Sequence, residues 1–212
     1  MSILPIDTGR YGTKEMLDIF REQKKIDYQL DIEAAAALSQ SEIGLIPLSI
    51  ARDISKIAKS GKITAKRIKQ LEAKSDHDTA ALVEALAEKC NKESRPWIHY
   101  GLTSNDLVDT SNSMQMRDAI KIIQPKVSKL SLILAKNAVK HKSVPAVGRT
   151  HGQHASIISF GLKFANWAAE MSTHLERLDE IKKRVLICKT LGVVGTGSLM
   201  GKNAVKVQER VA

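Results

Sequence analysis

The chain has 212 residues, 43% of them hydrophobic and 4% aromatic, with 33 Lys and Arg against 23 Asp and Glu and a formal net charge of +10. That balance excludes a disordered chain and specifies a core of Leu, Ile, Val, Ala and Met, a mix typical of packed helices. The positive charge suits nucleic acid, anionic small substrates or a piece whose acidic remainder is missing, but its cations are scattered among acids at helical spacing and no basic block alternates with aromatics, so a nucleic-acid surface is set aside.

No N-terminal stretch combines a basic start, an apolar run and a small-residue cleavage site, and no apolar run approaches the ~18–20 residues that span a bilayer. The two cysteines, Cys90 and Cys188, lie far apart and form no metal spacing. A soluble, reduced, cytoplasmic protein is the expectation.

The spacing predicts an all-α chain. Met16, Leu17, Ile19, Phe20, Ile26, Leu30 and Ile32 lie on one face of a helix capped by Thr13 and closed by Gly44 and Pro47. A short helix from about Ser49 stops at Gly61, and Thr64 caps another that runs to about Ser75. Asp78 is placed to cap the next, which ends near Asn91. After an irregular stretch from Glu93 to Gly101, one long helix is expected from Ser104 to about His141, bent at Pro125, and a second from about Ala155 to Ile187. At ~1.5 Å per residue each approaches 50 Å, a length that suggests a bundle. No β alternation is expected between them. The division expected is a helical domain over 1–103 and the first part of a long-helix bundle over 104–212. The helical pattern is still running at Ala212, which reads as a truncated chain.

Chemically capable residues concentrate where helices break. Asp76-His77-Asp78 sets an imidazole between two carboxylates, or is a surface turn with a capping Asp. His99-Tyr-Gly-Leu-Thr-Ser-Asn-Asp106 leads into the first long helix, where free N–H groups and the hydroxyls of Thr103 and Ser104 suit an anion. Asp106 also stands at the capping-box offset from Thr103, so plain capping explains part of this cluster. Gly148-Arg-Thr-His-Gly-Gln-His-Ala155 carries His151 and His154. Histidine is the usual acid or base near neutral pH, and zinc is the lesser alternative because no third ligand stands at a recognised spacing. Gly195-Thr-Gly-Ser198 lacks the ending of a phosphate loop and reads as a turn.

Together these segments resemble the fumarase/aspartase superfamily, in which Gly148-Arg-Thr-His151 is similar to one signature stretch and Thr103-Ser-Asn-Asp106 to another. Five segments resemble the adenylosuccinate lyase branch: Arg10-Tyr11, His77-Asp78, His99 to Thr110, Arg149-Thr-His-Gly-Gln153 and Gly192-Val-Val-Gly-Thr196. A third family signature, a mobile loop of the Ser-Ser-x-Met-Pro-x-Lys type that carries the general base, does not occur in this chain.

The resemblance implies a small N-terminal helical domain, a tetramer-forming bundle with active sites shared between subunits, and elimination of fumarate from a succinyl-amine bond. It implies His151 as general acid, with Thr150 beside it on the substrate. It places Asp76, His77 and Asp78 on the substrate, His77 also assisting proton handling. Arg10, Tyr11 and His99 would hold the nucleotide near its phosphate, and Thr103 and Ser104 the succinyl carboxylates. It implies no metal or organic cofactor, and assigns no role to His154. Another lyase of the superfamily, or a silent helical assembly protein, are the alternatives.

Overall fold

The computed structural model describes residues 10–212, and helices dominate them. Five precede the first irregular stretch: α1 (Lys14–Phe20), α2 (Glu22–Glu42), α3 (Leu48–Ala58), α4 (Ala65–Ser75) and α5 (Asp78–Ala87). A 3-10 segment, Lys92–Trp97, leads to α6 (Ser104–Lys140), which continues through Pro125. A β-hairpin follows, β1 (Pro145–Thr150) with β2 (Gln153–Ser159), then α7 (Phe160–Val185), a second 3-10 segment at Ser198–Asn203, and α8 (Ala204–Val211). The described chain forms two compact units, one comprising the residues up to Asp118 with Val185–Ala212, the other Ala119–Arg184.

In the first unit the core is aliphatic, as the composition requires. Ile54, Leu82, Leu86 and Leu107 are fully buried among Ile26, Leu30, Ile63 and Leu71. Helix α2 packs on α3 and α8, and α4 on α5. Thr13 and Thr64 cap α1 and α4 through their side chains, as expected. Tyr28 on α2 donates to Asp118 on α6 at 2.5 Å, and burial, followed by that carboxylate, pushes the phenol well above its ordinary range.

Three expectations need correction. The first helix is broken at Arg21, whose extended backbone ends α1 and starts α2. No glycine or proline marks the break. The buried Gln115 side chain donates to the Ile19 carbonyl at 2.9 Å and so supplies a partner from outside the helix. His77, not Asp78, caps α5: its Nδ1 accepts the Ala80 N–H at 3.3 Å, and Asp78 becomes the first helical residue. Finally, residues 145–159 are a hairpin, so α7 starts at Phe160 rather than near Ala155.

In the second unit, that hairpin turns through the two residues His151 and Gly152, with Thr150 opposite Gln153 and an irregularity between Gly148 and Arg149. Both turn residues have positive φ, 50° and 75°, as right-twisted two-residue hairpins require. The Phe160 N–H bonds the Val144 carbonyl at 2.7 Å and the Gly161 N–H the His141 carbonyl at 3.0 Å, closing the hairpin onto the end of α6. A Cβ at Gly161 would lie 2.4 Å from the Ala138 carbonyl oxygen. Apolar side chains of this unit remain uncovered, including Leu132, Val139, Ile157 and Trp167. No helix among the described residues is long and apolar enough to cross a membrane.

Gly161→Ala should therefore force the start of α7 away from α6. We expect destabilisation of about 1–3 kcal/mol, the usual cost of overpacking, seen as a lower melting temperature by circular dichroism. An unchanged midpoint would show that the two helices are not held in this contact.

Candidate active site

The site is built where helices end. Asp76 closes α4 in the left-handed conformation with φ 51°, which turns the chain directly into α5. His77 follows as cap, and Asp78 Oδ1 accepts the Thr79 N–H at 2.6 Å. Asp76, His77 and Asp78 are all exposed. The cap fixes which imidazole nitrogen does what: Nδ1 accepts from the helix, so Nε2 is the nitrogen turned elsewhere. It lies 3.4 Å from Ser104 Oγ, on the first turn of α6. Two clusters separated by 27 residues thus meet through their side chains.

The start of α6 is held by Asp106, which is fully buried. Its Oδ2 accepts the Thr103 N–H at 3.0 Å, the carboxylate half of the capping box the spacing suggests. The same oxygen accepts the Gly192 N–H at 2.9 Å, a bond that sequence spacing could not disclose. Gly192 has φ 78°, and a Cβ there would meet the Gly101 carbonyl oxygen at 3.1 Å. The Thr110 hydroxyl donates to the Lys189 carbonyl at 3.1 Å and accepts the Lys189 N–H at 2.9 Å, while Lys189 Nζ pairs with Asp109 at 3.1 Å. The glycine turn after α7 is therefore fastened to α6 and lies against the His99–Gly101 segment. Thr103 and Ser104, both half-buried, sit at the centre of this arrangement on a helix N-terminus whose dipole favours negative charge.

His99 has φ 61° and makes two bonds to one buried carboxylate on α2: its N–H donates to Glu33 Oε2 at 3.0 Å, and its Nδ1 lies 2.6 Å from Oε1. Arg10 and Tyr11 pair with each other, the guanidinium carbon 5.2 Å from the ring centroid, and Tyr11 is exposed. Thr150 and His151 belong to the second unit, at the hairpin tip, both exposed. Arg149 Nη2 and His154 Nε2 lie 3.4 Å apart beside that tip. Among the described residues, no group of three or more His, Cys, Asp or Glu could hold a metal ion. Among the same residues, the non-glycines with positive φ are Asp76, His99 and His151, all of them candidate site residues. Such backbone is costly and clusters at functional sites. The sequence reading missed Glu33, Gln40 and the Asp106–Gly192 bond. The available signal was a glutamate and a glutamine on either side of the alanine run Ala34–Ala37 of α2.

The first unit offers donors for anions at the start of α6 and a histidine whose Nε2 faces a serine hydroxyl; the second unit, by itself, carries a histidine at a turn tip. That chemistry suits a substrate with carboxylates or phosphate and a proton transfer near neutral pH. A family model described as Lyase matches residues 9–212. Similar curated proteins named adenylosuccinate lyase include those of Methanocaldococcus jannaschii, 45% identical across 100% of this chain and 46% of its own length, and Methanothermobacter thermautotrophicus, 40% identical across 100% and 47%. The chain spans about half the length of the curated relatives it matches. Similar solved structures include a fumarate lyase from Mesorhizobium sp. BNC1, with TM-score 0.87 and 30% identity over 95% of this chain and 48% of that one. Another is the 3-carboxy-cis,cis-muconate lactonizing enzyme from Pseudomonas putida, with TM-score 0.89 and 30% identity over 95% and 47%.

Replacing Asp106 by Ala should release the Thr103 and Gly192 amides together. We expect hydrogen exchange to quicken in both segments, about tenfold or more, since a charge-assisted bond is removed from each. Faster exchange at Thr103 alone would show that the glycine turn is held by something else.

Proposed function

The chain belongs to the lyase family whose model it matches, and on that premise we propose that it is the N-terminal part of an adenylosuccinate lyase of purine synthesis. The reaction is elimination of fumarate from adenylosuccinate, giving AMP, and from the related succinylated imidazole-carboxamide ribotide. What carries the reading is the meeting of His77 with Ser104 at the start of α6, in a chain similar along its whole length to proteins of that name.

The roles follow from the chemistry. Elimination takes a proton from the succinyl carbon, spreads negative charge into the neighbouring carboxylate and sends the electron pair of the C–N bond to nitrogen. Thr103, Ser104 and the first N–H groups of α6 suit the carboxylate on which charge develops. His151 protonates the departing nitrogen, with Thr150 beside it on the substrate. Its place on a two-residue turn fixes the backbone on both sides of the imidazole. Asp76, His77 and Asp78 contact the substrate, and His77 assists proton handling through Nε2. Arg10, Tyr11 and His99 hold the nucleotide near its phosphate. No step calls for a metal or organic cofactor.

Residues 1–103 are proposed as a domain that carries nucleotide contacts, and 104–212 as the first part of a bundle. Assembly into a cytoplasmic homotetramer with shared active sites is proposed with them, and the uncovered apolar side chains of α6 and α7 support the self-association it requires.

The test is fumarate release from adenylosuccinate, followed by absorbance. The longest natural reading frame that contains this sequence should be active, and the 212 residues alone inactive. In the active protein His151→Gln should lower kcat by about 10²–10⁴, the usual contribution of a general acid. Release of fumarate from another succinylated amine but not from adenylosuccinate would transfer the assignment to a different lyase. Full activity of the His151→Gln variant would remove that histidine from the mechanism.

A further inference from the structure

Among the buried polar side chains of helix α2 to which the proposed reaction assigns no role, Glu33 and Gln40 are the most deeply buried. Glu33 is 2% exposed and Gln40 1%. Seven residues apart, they stand two turns from each other on one face. Both reach the same short segment: Glu33 takes the N–H and ring nitrogen of His99, and Gln40 Nε2 donates to the Tyr100 carbonyl at 2.7 Å. Two consecutive residues, one of them in the left-handed region, are thus held from a single helix face. A lone structural bond would not need the ring. Here the same carboxylate spans backbone and imidazole, so backbone conformation and ring orientation are fixed together.

The bond also selects a proton position. An ionised carboxylate only accepts, so His99 Nδ1 carries the hydrogen and Nε2 is the nitrogen left for a ligand. A second proton at Nε2 places an imidazolium against a buried carboxylate, a charge-balanced pair. We infer that Glu33 is a positioning residue of the nucleotide end of the site: it sets the backbone of His99 and holds its Nδ1–H, so that in the imidazolium form the Nε2–H is the donor turned to an anionic oxygen of the substrate, a phosphate oxygen by chemistry. The identity of that ligand rests on the proposed function; the tautomer does not.

Two measurements test this. Nitrogen-15 NMR of the 212-residue chain with labelled imidazoles reads the tautomer directly. The expected wild-type spectrum has hydrogen on His99 Nδ1, and Glu33→Gln, which can donate as well as accept, shifts it toward Nε2. Hydrogen on Nε2 alone in the wild type, or no change in the variant, would overturn the inference. In the active reading frame, Glu33→Gln should raise KM for adenylosuccinate about tenfold while kcat changes less than about threefold, the scale of one lost charge-assisted bond. Glu33→Asp, which keeps an acceptor-only group, should recover part of that loss. On a His99→Gln background Glu33→Gln should add almost nothing, because the two act as one unit. Additive losses in the double variant would mark Glu33 as merely structural and overturn the inference. A wild type that releases no fumarate would remove the proposed function alone, and the NMR result would still decide the role of Glu33.

Discussion

A helix of 37 residues begins with N–H groups that no helical carbonyl can satisfy, and in this chain the answer to that deficit organises the site. Asp106 takes the Thr103 N–H, as a capping carboxylate would. Because it also takes the Gly192 N–H on the same oxygen, the cap becomes a joint between the start of α6 and a turn 86 residues away. Net hydrogen-bond gains are modest, about 1 kcal/mol, but a buried carboxylate stripped of donors costs more than that. The joint is therefore held by the expense of breaking it. Thr103 and Ser104 are placed on a backbone whose neighbours on both sides are fixed.

The same logic recurs at the other breaks. Gly101 and Gly192 approach so closely that a side chain at Gly192 would press on the Gly101 carbonyl, so the turn packs backbone to backbone. Thr110 then uses its single hydroxyl as both donor and acceptor against Lys189. Few of these contacts are apolar. The aliphatic core of the first unit supplies stability, and the buried polar bonds determine which loop sits against which helix.

Much of this was legible in the sequence. The caps Thr13 and Thr64, the stops at Gly44 and Gly61, and the run of α6 from Ser104 through Pro125 follow from local rules, and the structure has them. What was not legible was set by partners distant in the chain. The break at Arg21 has no local signal because Gln115, 96 residues from Ile19, supplies it. The hairpin was obscured because β1 and β2 are both largely exposed and so lack the apolar-polar alternation that betrays a strand. Its His151-Gly152 tip was a usable clue, a residue that tolerates positive φ followed by glycine. The exchange of Asp78 for His77 as cap is a shift of one residue, within the tolerance of helix boundaries, yet it settles which imidazole nitrogen is committed.

The three strained non-glycine residues differ in what holds them. Asp76 ends a helix, where a left-handed residue is a common closing device and the Asp76 N–H bonds the Glu72 carbonyl. His151 occupies a two-residue hairpin turn, where the strand pairing on either side imposes positive φ. In both places glycine or asparagine would be easier to accommodate. His99 lies in a turn that is fastened from outside as well. Its carbonyl accepts the Leu102 N–H at 3.2 Å within a local turn, and the segment is also held from α2, by Glu33 on His99, 66 residues away, and by Gln40 on Tyr100, 60 residues away. A strained residue supported by its own turn can persist through changes elsewhere. One supported also from another helix is only as well placed as the packing of that helix, which makes the seating of α2 on the core a condition for the geometry of the His99–Tyr100 segment.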